Sequence, residues 1–141
     1  MSQFIELSDY DASIHRDILV SVTRDDEAIV EICEDRAICE MRGYLCGRYD
    51  CDRIFAARGG ERHQLVLMML IDMVVYHLFC IHNPVKMSDT RKDRYQRAVD
   101  WMKAVRRGDI SVEGLPLLPS DERNSKNPYQ LRSNRKRINH Y

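Results

Sequence analysis

Glycine and proline are scarce, at six and four in 141 residues. A strand-and-turn fold needs more turn formers, so the shortage favours helices. No apolar stretch follows a basic start at the N-terminus: MSQFIELSDYD is acidic, so it does not read as a signal peptide. The five cysteines are an odd number and fall inside helical patterns, which suits thiols in a reducing cytosol rather than a disulfide framework. Metal-ligand spacing is also lacking. Cys46 and Cys51 lie five apart, and Cys80 and His82 sit two apart on one helix and point to different faces, so no zinc site is expected. Cys33, Cys39, Cys46 and Cys80 read instead as small buried or half-buried residues. Nothing in the spacing of Cys51, Asp52 and His63 singles them out as a nucleophile with its base. No enzyme activity, cofactor or metal is expected.

The sequence does have one long apolar stretch, Arg62 to His82, interrupted in its middle by Asp72 and His77. A membrane span needs roughly 20 apolar residues, and a central aspartate costs about 2.5–3.5 kcal/mol on the insertion scale. The stretch therefore reads as the central helix of a bundle, about Glu61 to Ile81, with no membrane partner. A carboxylate in such a helix must be paired, hydrogen-bonded or protonated. Tyr76 is available on the same helix. Arg48, continuing the apolar face of the preceding helix, is the first choice of partner, and Arg94 the second. His77 reads as a satisfied core or interface histidine.

The other helices follow from periodicity. Ile14, Ile18, Leu19 and Val22 form a stripe in one or two short helices, and Phe4, Ile5 and Leu7 can anchor the lead-in. Thr23, followed by three acids, predicts an N-cap for a helix over 25–48. Its stripe is Ile29, Ile32/Cys33, Ala37, Met41 and Tyr44/Leu45. Gly43 and Gly47 either admit a close neighbour or loosen the last turn. Tyr49 to Gly60 reads as a loop. Ser88 caps a last helix that runs to Arg107 and stops at Gly108, with Tyr95, Ala98, Trp101/Met102 and Val105 as its stripe. Its other face, with Arg91, Arg97 and Asp100, reads as solvated. The expected fold is all-α, a bundle of about four to five helices in residues 1–118, with an extended arm at 119–141.

The chain is neutral, with 22 basic and 22 acidic residues, but its charge is divided. From Pro119 onward six Lys/Arg face two acids, a net +4; residues 1–118 hold 16 basic and 20 acidic, a net −4. Such a stretch contacts neighbouring subunits through Tyr129, Leu131, Arg135, Lys136, Arg137 and Tyr141, binds nucleic acid through the Arg135–Arg137 cluster and its tyrosines, or, being too polar to fold alone, is a solvated, disordered tail.

Three blocks carry a resemblance: GYLCGRY at Gly43–Tyr49, LIDMVVYHLF at Leu70–Phe79 and DRYQRAVDWMKAVRRGDISV at Asp93–Val112. Their order and spacing resemble the small helical protein of Mu-like prophages, related in shape to head–tail connector (head-completion, adaptor) proteins. The resemblance is loose over Phe4–Pro116 and close over Arg42–Val112, and includes an acid at the place of Asp72. The family commonly has prolines in the loop before the central helix, where CDRIFAARGGE has none. The Asn-His-Tyr ending after a basic arm resembles versions from Bacteroides-type prophages. The resemblance implies a structural subunit of a homo-oligomeric ring. Its implied partners are portal and tail-completion proteins, with DNA possible in the channel. Its implied place is the cytoplasm during assembly, then the head–tail junction of the virion.

Overall fold

The computed structural model describes residues 4–119. Five α-helices follow in order: α1 (Arg16–Thr23), α2 (Glu27–Leu45), α3 (Cys51–Ala56), α4 (Gln64–His82) and α5 (Asp89–Arg107). Three 3₁₀ turns, Leu7–Ala12, Gly59–Glu61 and Pro84–Lys86, complete the set. Among the described residues there is no strand, only an isolated antiparallel bridge between Tyr49 and Leu117. The fold is the all-α bundle that the composition implies.

α4 is the post. It packs mainly against α2 and α5, with α1 beside it. Ten of its nineteen residues are buried, nine of them apolar and the tenth Asp72. Burying an apolar side chain of this size contributes about 1.5–3 kcal/mol. By length and composition alone α4 would pass for a membrane span; here neighbouring helices take up its apolar surface. Asp72 meets Arg97 and Tyr76 meets Tyr95, so α4 and α5 run antiparallel. Glu40 meets Tyr95 while Arg48 reaches Arg106, so α2 and α5 run parallel.

The helix ends explain the boundaries. Ser88 Oγ accepts from the Arg91 N–H, and Gly108, at φ 81°, closes α5 in the left-handed conformation. Asp26, not Thr23, caps α2 by accepting from the Ala28 N–H. Thr23 is the last residue of α1, and its hydroxyl donates to the Leu19 carbonyl. The expected loop at 49–60 contains α3, because Asp50 Oδ1 accepts from the Arg53 N–H and starts a short helix. α4 begins three residues later than expected, at Gln64, because His63 caps it. His63 Nδ1 accepts from the Val66 N–H, leaving Nε2–H to donate to the Glu113 carbonyl at 2.7 Å. Gly43 and Gly47 face open space, so neither marks a close helix approach.

The Asp72–Arg48 ion pair expected from the stripe does not form. Arg48 lies past the end of α2, where its Nε donates to the Arg106 carbonyl and its guanidinium packs on Gly108. Asp72 lies eight residues into α4, about 12 Å along its axis. The stripe gives the correct face but not the level. Asp72 instead accepts from Arg97 Nη2 at 2.6 Å. Arg97 stays half-exposed on the face read as solvated while reaching Asp72, and Arg91 leaves that face: it donates to the Ser13 carbonyl and lies over the Phe79 ring.

The pair is unequal, and the inequality sets a prediction. Asp72 is 5% exposed, whereas the Arg97 side chain is 52% exposed. Removing Asp72 frees an arginine that can turn to water; removing Arg97 takes from a buried carboxylate the side-chain donor it accepts from. Arg97→Ala should cost about 3 kcal/mol and Asp72→Ala about 1 kcal/mol, the second softened by loss of only a small volume. Urea unfolding of both variants checks the order; equal costs, or the reverse order, would contradict it.

Candidate functional site

Polar groups are buried at each seam of the bundle. Arg62, just ahead of α4, is 9% exposed and gathers three acceptors: the Phe4 carbonyl, the Gly59 carbonyl and Asp9. It fastens the N-terminal segment to the start of α4. Tyr10 Oη donates to Glu34 Oε1 at 2.6 Å and joins the same segment to α2. On the far side Glu40 accepts from Tyr95 Oη at 2.8 Å and contacts His77 Nε2 at 3.3 Å. Tyr76 and Tyr95 stack there, ring centroids 3.9 Å apart. Burial, then the bond to Glu40, pushes the Tyr95 phenol upward, so it stays a donor.

Between the N-terminal turn, α4 and α5 lies an open cleft of about 450 Å³. Its floor is Leu67, Met68 and Ile71, and Asp72, Arg94 and Arg97 line it. At the α1–α2 corner the chain presents Asp25, Asp26 and Glu27, all exposed. The corner belongs to an acidic part of the chain: residues 1–40 hold 11 acids and three bases, while residues 41–118 hold nine acids and 13 bases.

The segment after α5 is strapped to the α2–α3 junction. The Val112 N–H donates to Tyr49 Oη and the Asp50 N–H to the Pro116 carbonyl, both at 2.9 Å. The strap sets the point from which the basic stretch departs. Tyr129, Leu131, Arg135, Lys136, Arg137 and Tyr141 lie outside the described residues.

The residues considered for chemistry are not brought together. His63 is engaged by Val66 and Glu113, and Asp52 pairs with Arg42. Burial pushes the Cys51 thiol up to about 11. Among the described residues no group of three or more His, Cys, Asp or Glu is arranged to hold a metal ion. Cys33 is buried and Cys80 half-buried as expected, but Cys39 and Cys46 are exposed, on the outer side of α2 and just past its end.

Sequence reasoning missed Glu34 and Arg62. Glu34 lies on the inward stripe, three residues before Ala37 and seven before Met41, and this spacing was the available signal. Burial, opposed by the Tyr10 hydrogen bond, pushes its carboxyl up to about 7 from an ordinary 4.5. The folded protein therefore holds Glu34 protonated where the unfolded chain has already ionised. Its contribution to stability is complete below pH 4.5 and is lost as pH rises to about 7. The loss amounts to about 3 kcal/mol. Glu34→Gln keeps the shape and the acceptor for Tyr10 without the charge. It should unfold at higher urea than the parent at pH 8, with the gap closing at pH 4.5; parallel pH profiles for the two proteins would refute this.

No curated protein and no solved structure matches the chain at a significant level. The profile of the family described as Bacteriophage Mu, Gp36 matches residues 4–129, the whole of this helical bundle and nearly the whole chain, and the chain belongs to that family.

Proposed function

We propose that the protein is a structural subunit of the phage particle, a head–tail connector or adaptor that assembles into a homo-oligomeric ring. The observation that carries this reading is the division of the chain. A compact body straps residues 109–118 onto its α2–α3 junction ahead of a +4 stretch, while its acids concentrate in residues 1–40. Closed rings form by heterologous contacts, in which one surface of a subunit meets a different surface of the next. A body with unlike charge at its two ends and a basic arm suits that geometry. Membership of the Mu Gp36 family supports a role in particle structure or assembly.

In this reading the protein does no chemistry of its own. It works in the cytoplasm during assembly and then at the head–tail junction of the virion, between portal and tail-completion proteins and away from membranes. The Arg135–Lys136–Arg137 cluster favours one second reading, a nucleic-acid-binding module. DNA passing through the channel would make the two compatible.

Native mass spectrometry and negative-stain microscopy of the full chain, alone and with the portal, should show high-order closed species. Deleting residues 119–141 should weaken assembly and leave the far-ultraviolet helical signal unchanged. Monomer under every condition, portal included, would overturn the ring. A shift with DNA at low salt that Arg135→Ala, Lys136→Ala and Arg137→Ala abolish, with no rings, would favour the second reading.

A further inference from the structure

The Asp72 cleft is only half explained by the ion pair inside it. Its floor is apolar and partly bare, with Met68 45% exposed. Arg97 gives one N–H to Asp72 and has others to offer on a half-exposed side chain. Among the described residues Arg94 has no ion pair. Asp9 also lines the cleft but is held by Arg62, and Asp72 is held by Arg97, so Arg94 is the surplus cation and the cleft suits an occupant that is apolar with an attached carboxylate.

A surface of that chemistry lies on different elements of the same chain. After Thr23 the backbone reverses through Arg24 and Asp25, both left-handed at φ 53° and 56°. Two consecutive non-glycine residues in that region are strained, so the corner is held against a preference. The Asp25 N–H donates to the Val20 carbonyl and the Asp26 N–H to that of Thr23, which makes the corner a preformed knob. Asp25 and Asp26 are exposed, and Val20, whose carbonyl accepts from the Asp25 N–H, is bare on α1 at 46% exposure.

We infer that the α1–α2 corner of one copy docks into the Asp72 cleft of a second copy, setting Asp25 and Asp26 against Arg94 and Arg97 and Val20 over Met68. No residue lining the cleft belongs to α1 or α2, so one chain can use both surfaces at once. A contact between two different surfaces propagates from subunit to subunit and closes into a ring when the rotation allows. The inference rests on the ring reading and names a body-to-body contact within it, separate from the arm.

The test uses full-length chains. Arg94→Glu inactivates the cleft and leaves the corner intact. Asp25→Asn with Asp26→Asn inactivates the corner; asparagine keeps the α2 cap and tolerates the left-handed turn. Met68→Glu blocks the cleft with a like charge to the corner, at an exposed position and without replacing an arginine. Each variant alone should raise the concentration for half-assembly by about tenfold or more. Mixing a cleft variant with the corner variant, where neither assembles alone, should give one-to-one dimers that grow no further. Rings that form in all variants at the parent concentration would overturn the contact and leave the ring reading standing, as would a mixture without dimers. A parent chain that never associates would overturn the ring reading and this contact with it.

Discussion

Nine apolar side chains on α4 lie out of water, and the coverage they need dictates where the other elements go. An amphipathic helix can leave one face bare, but α4 has almost no polar stripe to turn outward. α2 and α5 take two sides, and the N-terminal segment with α1 takes much of the rest. This is why residues 4–14, short and poor in regular structure, contribute Phe4, Ile5, Tyr10 and Ile14 to the core. The lead-in is part of the bundle wall.

The buried polar groups divide the remaining work by seam. Arg62 holds the N-terminal segment to the start of α4, Tyr10 and Glu34 hold it to α2, Asp72 and Arg97 join α4 to α5, and Glu40 joins α2 to both. Apolar packing is non-directional and lets helices slide. A buried carboxylate with one partner within reach does not, because a slipped register leaves it unsatisfied. These pairs fix the level of each helix against its neighbour. The net stabilisation from any one of them is small, and Glu34 opposes folding at high pH.

This division explains what was legible in the sequence. Periodicity shows which side of a helix faces inward, so Cys33, Ala37, Met41, Leu45, Ala98, Met102 and Val105 could be named in advance. Caps with one dominant chemistry, Ser88 and Gly108, were equally plain. Level along the axis depends on turn geometry that the stripe does not encode, and so Asp72 was assigned to Arg48 rather than Arg97. Competing acids at 25–27 hid which one caps α2. Glu34 was hidden because a carboxylate is normally taken to point outward, although its spacing placed it inside. The candidate docking surfaces were the least legible, since the cleft joins three segments far apart in the sequence.

What remains on the surface is asymmetric. The acidic residues concentrate in the first third of the chain, and α5 carries seven Lys/Arg against three acids. At physiological salt exposed charges are screened beyond about 8 Å, so this asymmetry does little for folding and acts mainly at contact. In the proposed ring it would bear on how copies meet, since like-charged surfaces repel and unlike-charged surfaces attract. A head-to-tail contact would set the acid-rich surface of one copy against a base-rich surface of the next, and it is the arrangement that a closed ring requires.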